Sequence, residues 1–352
     1  MTPKQKVMAA LHGERTETVP GGLHGWGMYK FAHLGRLSDY SLEKEMWKIH
    51  GDELLRIESD FQETFRPDFM QLAEAFFESK KEIIHDTVHA GLLHAVRKLE
   101  SRGVIDEFLD LVYDEPDELF ERKFGHMRDL AVRYGEEIFI IFTTEGPVHD
   151  LLDSNGVLGF EEGMVALVQA PLLFDYLLQG MFERQLRYVE KAREYGAHSY
   201  SQSFSYLCPD MASPHMYRDR IFPIQRSFYR EVEGMGLIPI ICAWGWVTPI
   251  ARYLAETGIR GLMVEESRKS FTNDIGEIRE ELGDGIGLFG NVSGEHTLLH
   301  GSVQDVRDEV LVQIEQAGRR GGFICSSGTP IAFGTPPENV HALIDTAKEY
   351  AL

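Results

Sequence analysis

Leu237-Ile238-Pro239-Ile240-Ile241-Cys242-Ala243 is a short apolar run that stops abruptly, and a helical pattern from Thr248 to Thr257 follows it. The unit then repeats. Gly261-Leu262-Met263-Val264 precedes a helical stretch from Asp274 to Leu282, and Ile286 to Phe289 precedes one from Val303 to Ala317. Gly322 to Cys325 precedes a last one from Pro336 to Tyr350. Strands so short and so continuously apolar are buried on both faces, the pattern of a parallel sheet covered by helices.

Upstream, His198 to Phe204 alternates Ser and Gln with Tyr and Phe and reads as a strand. Glu137 to Phe142 is another, Phe69 to Ala73 a candidate first strand, and the ambiguous stretch Ile83 to Val96 a candidate second. Helical patterns cover Asp117 to Tyr134, Glu161 to Tyr195 in two pieces around Pro171, and Tyr217 to Gly234. The count of eight strands gives an α/β fold, a TIM-type (β/α)8 barrel. An open doubly wound sheet is the alternative, but no Gly-x-Gly-x-x-Gly follows the first strand. Thr2 can cap a helix running to Gly13, with Pro3 in its first turn. Gly21 to Gly27 is loop-like, and Ser41 to about Ile57 is helical. Residues 1–65 are thus expected as a helical extension packed on a single barrel domain spanning 1–352.

Acidic residues outnumber basic ones by 56 to 35, a formal net charge of −21. Such a surface repels phosphate backbones, so no nucleic-acid partner is expected. No apolar run reaches the roughly 18 residues of a membrane span, and the polar N-terminus lacks the apolar core of a signal peptide. A cytoplasmic, membrane-free protein is expected. Three widely spaced cysteines, Cys208, Cys242 and Cys325, argue against a disulfide framework.

In a barrel the reactive groups lie just past the C-terminal strand ends. Those positions hold Glu145 and His149, Gln202 and Tyr206, Cys242, Trp244 and Trp246, Glu265, Asn291, and Ser326. Glu145 and His149 are four apart, so a helical turn would set both on one side for acid–base work or to share a metal. Cys242 offers a soft ligand for zinc. Its other reading is a small buried hydrophobe. Trp244 and Trp246 could enclose a planar ligand, or close the rim as packing. Ser326 opens a Ser-Ser-Gly-Thr turn suited to an anion or to ordinary turn chemistry.

Several segments together resemble the uroporphyrinogen decarboxylase superfamily, which also contains corrinoid-dependent methyltransferases. They are Lys6-Val7-Met8-Ala9-Ala10-Leu11-His12-Gly13-Glu14 with Val19-Pro20, and Ser213-Pro214-His215-Met216-Tyr217 with Pro223. Leu288-Phe289-Gly290-Asn291-Val292, Gly321-Gly322-Phe323-Ile324 and Thr335-Pro336-Pro337-Glu338-Asn339-Val340 complete them. The resemblance implies a TIM-like barrel with its cleft at the C-terminal rim. True decarboxylases of the superfamily carry an arginine-rich stretch near the start, where this chain has Gly21-Gly22-Leu23-His24-Gly25-Trp26-Gly27-Met28-Tyr29-Lys30. They carry an Asp after the first strand, where this chain has Glu74-Ala75-Phe76-Phe77, and a late His where it has Thr329. The zinc thiol methyltransferases use His-x-Cys-Gly, which here becomes Cys242-Ala243-Trp244-Gly245.

What the resemblance then implies is the branch that moves a methyl group from a small methylated or methoxylated donor to a corrinoid (cobalamin) held by a partner protein. Glu145, His149 and Glu265 are its candidate catalytic groups, and Cys242, His149 and Glu145 candidate ligands for zinc. His24, Trp26, Gln202, Tyr206, Trp244, Trp246, Asn291 and Ser326 are candidate substrate contacts. A homodimer is a candidate assembly. A decarboxylase or other lyase, and a non-catalytic small-molecule-binding barrel, are the alternative readings.

Overall fold

The computed structural model describes residues 1–25, 29–30, 51–73, 90–113, 117–154 and 156–351. Seven parallel strands follow one another around the sheet in chain order. They are β1 (Phe69–Ala73), β2 (Phe139–Thr144), β3 (Ser199–Phe204), β4 (Ile238–Ala243), β5 (Gly261–Val264), β6 (Gly287–Phe289) and β7 (Phe323–Ile324). Helices cover the outside, and the architecture is a TIM-type α/β barrel. Among the described residues no helix is long and apolar enough to cross a membrane.

Two expectations are corrected. The stretch from Ile83 to Val96 supplies no strand within the described residues, since Ala90–Arg97 is a helix burying Leu92, Leu93 and Val96; residues 83–89 lie outside them. β1 bonds directly to β2, with Phe69 opposite Phe139 and Ala73 opposite Thr143, which leaves no room for a strand between them. The loop around Gly21 instead takes the eighth place, between β7 and β1. On one side Gly22 N–H donates to Cys325 O and Cys325 N–H to Pro20 O, at 3.0 and 2.9 Å. On the other, Asp68 N–H donates to Gly21 O at 2.8 Å, and Gly21 N–H donates to Asp68 Oδ2 at 2.9 Å. Lys348 Nζ lies 3.3 Å from the fully buried Asp68 carboxylate.

Helix α1 (Pro3–Leu11) forms as its sequence dictates. Thr2 accepts from Gln5 N–H while the Gln5 side chain accepts from Thr2 N–H, a complete capping box. Its Val7, Ala10 and Leu11 pack with Phe69, Phe139, Ile141, Ile240, Met263, Phe289 and Ile324, all from the inner face of the barrel. The helix therefore plugs the end opposite the functional rim. The helix expected from Ser41 is described as Asp52–Phe65, and residues 41–50 lie outside the described set.

Alternation along each strand decides what faces inward. Phe69, Phe139, Ile141, Ile240, Cys242 and Met263 belong to the inner cluster. Leu72, Ile140, Phe142, Tyr200, Phe204, Ile241 and Val264 belong to the outer layer under the helices. Gln71, Thr143, Ser201 and Ser203 share the inner face by the same period of two.

Leu11→Ala would leave a cavity inside the plug. Its expected cost is about 3 kcal/mol in urea unfolding, and a loss below roughly 1 kcal/mol would show that the plug is not packed as described. His198 sets a pH dependence. Ile140 N–H donates to its Nδ1 at 2.9 Å, and burial pulls the imidazole from its ordinary 6.5 down to about 4. A folded value below the unfolded one means that this contribution is present above pH 6.5 and fades as pH falls toward 4. In His198→Gln the loss of urea midpoint between pH 7 and 4.5 should be smaller than in wild type; equal slopes would remove His198 from the account.

Candidate active site

Cys242 stands on the inner face near the end of β4, almost completely buried. His24 reaches it from the segment that fills the gap between β7 and β1, on the opposite side of the ring. Its Nε2 lies 3.6 Å from Cys242 Sγ, and its ring lies 5.0 Å from that of Trp244. His24 N–H is held by Ser327 Oγ at 3.1 Å. Burial, then the charge of Lys30, pulls the imidazole down to about 3. Burial, then the charges of Glu145 and Glu265, pushes the thiol up. Both groups are therefore uncharged at neutral pH, and the contact crossing the barrel mouth joins a thiol to a neutral imidazole.

Beside this pair, Glu145 and His149 meet, although Glu145 lies before the helix and not on one face of it with His149. The loop after β2 turns at Pro147 into the Pro147–Leu152 helix, and Glu145 Oε2 comes 3.6 Å from His149 Nδ1. The His149 ring lies 5.6 Å from Tyr206, which lies 5.9 Å from the exposed Phe160. Tyr206 holds φ at +63°, a left-handed backbone that costs a tyrosine roughly 1–2 kcal/mol. Its hydroxyl donates to Asp153 at 2.8 Å, which helps to fix it.

A second group of residues builds the wall after β4. Gly245 takes φ +103°, and a Cβ there would stand 2.5 Å from Asp210 Oδ1, so only glycine fits. Glu265 accepts from Gly245 N–H and from Arg268 Nε, both at 2.8 Å, so its carboxylate is a clamp between the β4 and β5 loops. Asn273 is the hub. Its amide donates to Gly245 O and Glu265 O at 2.9 and 3.0 Å, and its Oδ1 accepts from Val247 N–H at 3.0 Å. Asn291 donates to Asn273 O and Glu265 O at 2.9 and 3.3 Å, which makes it a brace of the same wall.

The remaining candidates divide. Trp244 is half-buried against His24, and Trp246 is exposed at the rim with its N–H on Asp210. Gln202 lies on the outer face of β3, where it accepts from Tyr229 OH at 3.3 Å; one step of alternation puts Ser201 and Ser203 inside instead. Ser326 is buried, its hydroxyl donating to Ser327 O at 3.3 Å. Trp26 lies outside the described residues. Cys325 packs in the outer core, and all three cysteines are free. The reading of positions past the strand ends missed Asn273, and of the neighbours Glu265 and Glu266 it put forward Glu265, while Glu266 is the more deeply buried. Burial pushes the Glu266 carboxyl up, while Thr329 and Arg268 pull the other way. No local motif marks either residue.

The donors among the described residues do not fit a zinc centre. Catalytic zinc takes three protein ligands. Among the described residues no three of His, Cys, Asp and Glu come together: Glu145 pairs with His149, and Cys242 with His24.

Comparison with known proteins gives the family and the fold. The family model described as uroporphyrinogen decarboxylase matches residues 128–350. The chain belongs to that family. A methylcobamide:CoM methyltransferase, MtaA, of Methanosarcina barkeri is 29% identical over 219 residues, covering 62% of this chain and 60% of that protein. A uroporphyrinogen decarboxylase of Thermosynechococcus vestitus is 30% identical over 131 residues, 37% of this chain and 36% of that one. Both matches span less than two thirds of the relative's length. A solved methyltransferase from Methanosarcina mazei superposes with a TM-score of 0.75 at 21% identity, covering 99% of each chain, and so shares the fold.

Within the family frame, Asn273→Ala should loosen the wall that carries Trp244 and Trp246. The expected outcome is a loss of about 2–4 kcal/mol with red-shifted tryptophan emission in the folded state. Unchanged stability and emission would mean that the hub holds nothing in place.

Proposed function

We propose that the protein is a corrinoid-dependent methyltransferase, moving a methyl group between a small methylated or methoxylated molecule and a corrinoid protein. The observation that carries the reading is the likeness to the methylcobamide:CoM methyltransferase over 62% of the chain. It is supported by the inner face above the plug. Gln71, Thr143, Ser201, Ser203, Cys242 and His24 there are uncharged, and the buried Lys30 beside Gly25 is paired with Glu58 at 2.6 Å, which leaves no free cation among these residues for the many carboxylates of a porphyrinogen. The rim suits a large planar partner group, because Trp246, Met211 and Phe160 expose apolar surface in the loops after β4, β3 and β2. The reading keeps one barrel domain over 1–352 and a cytoplasmic setting.

Low-valent cobalt on the partner's corrinoid would supply the methyl-accepting chemistry. This chain's part is to bind the donor, exclude water and manage the proton. Trp244 and Tyr206 form walls for the donor. His149, held at Nδ1 by Glu145, gives a proton to the departing oxygen as the bond to the methyl carbon breaks. Glu265, Asn273 and Asn291 keep the Trp244 wall in place. No step is assigned to zinc, since the donor set does not fit it.

The test is formation of methylcobalamin from cob(I)alamin and a panel of methoxylated compounds, followed by its ultraviolet–visible spectrum. Glu145→Gln should lower kcat by about 100-fold with little change in KM. Decarboxylation of uroporphyrinogen by the purified protein, with no methyl transfer to cobalt, would sink the proposal.

A further inference from the structure

Three side chains on neighbouring strands share an unusual state. Gln71 on β1, Thr143 on β2 and Ser201 on β3 are 3%, 5% and 0% exposed. Gln71 Nε2, Thr143 Oγ1 and Ser201 Oγ have no hydrogen-bond partner among the described residues. Leaving a buried polar group unpaired costs roughly 1–3 kcal/mol, so such groups are rare and call for a reason.

Their placement is not scattered. Thr143 and Ser201 are register partners across β2 and β3, and Gln71 stands one inward position lower, opposite Ile141. Gln71 Oε1 is already fixed by Gly25 N–H at 3.2 Å, which leaves its Nε2 donor free toward the barrel interior. One inward position higher, Ser203 faces Cys242 in register and is half-buried. The three groups thus line one arc of the inner wall, just beneath the level that His24 and Cys242 close by meeting across the mouth. The outward neighbour Thr144 shows the contrast: its hydroxyl is bonded to Tyr200 OH at 2.7 Å and to Gln185 at 2.9 Å.

We infer that Gln71, Thr143 and Ser201 bind the oxygen of a small uncharged substrate, an ether or alcohol, which enters when His24 gives way from Cys242. The inference deepens the reading above and takes from it only that a small methylated molecule enters the barrel. The chemistry of the wall selects the class. An amide donor and two hydroxyls, with no charged side chain among them, suit a neutral acceptor oxygen. An anion would meet the field of Glu145 and Glu265, which already pushes the Cys242 thiol up. For a cation, the Glu265 carboxylate at the β4 wall is already occupied by Gly245 and Arg268.

The experiment is calorimetric titration of the full chain with 2-methoxyphenol, 3-methoxybenzoate and tetramethylammonium, beside thermal unfolding without ligand. The neutral ether should bind best. Thr143→Val and Ser201→Ala should each weaken it roughly tenfold, the effect of a lost hydrogen bond, while the unliganded variants unfold at the wild-type temperature or above. Thr144→Val should do the reverse, losing stability and keeping affinity. Loss of stability in Thr143→Val and Ser201→Ala with affinity unchanged would overturn the inference. So would equal or tighter binding of the benzoate or the ammonium ion, or no binding of any probe. Methyl transfer to cob(I)alamin is read separately: ether binding that needs these hydroxyls, without methyl transfer, supports this inference and removes the proposed reaction.

Discussion

Closure of the ring is the constraint on which the rest depends. Seven strands leave a gap between β7 and β1, and two open edges inside a barrel would strand a row of backbone donors and acceptors. The segment from Pro20 to Gly22 fills that gap. It bonds to Cys325 on one side and to Asp68 on the other, with the Asp68 carboxylate reinforcing the Gly21 amide. The same closure fixes the path of the next residues. His24 is delivered over the barrel mouth, where it meets Cys242 and Trp244 from the far side.

From that closure follows a division of labour between the two ends. The Pro3–Leu11 helix seals one end with Val7, Ala10 and Leu11, so the interior there is dry and apolar. On β1, β2 and β4 the inward positions change toward the other end from Phe69, Phe139, Ile141 and Ile240 to Gln71, Thr143 and Cys242, with Ser201 beside Thr143 on β3. Above them the loops are stiffened by Glu265, Asn273 and Asn291, which spend their hydrogen bonds on backbone groups. The rigid wall lies after β4 and β5, and the ionisable pair Glu145–His149 lies after β2.

The decay of legibility from fold to site can be traced through single residues. Thr2 and Pro3 announced their helix because a cap and a first-turn proline are local chemistry; the reciprocal bond from Gln5 was added by the structure. Glu145 and His149 also meet, but the helix begins only at Pro147, so the extended turn before it makes the contact and not one helical turn of spacing. Gln202 shows the limit: the strand was correctly seen, but the end of a strand does not say which face its residues present. A shift of one residue exchanges Gln202 for Ser201. The early apolar stretch Ile83 to Val96 failed for a related reason, since its described part buries Leu92, Leu93 and Val96 at helical spacing.

The sequence by itself determined the parallel α/β barrel and its helices, because those depend on periodicity, caps and the direction of strands. Only the tertiary structure decided that the Gly21 loop is the eighth stave, that His24 meets Cys242, and that Asn273 is the hub of the Trp244 wall. Those facts join residues 28 to 303 positions apart, and no local pattern records a hydrogen bond whose two ends meet only when the ring closes.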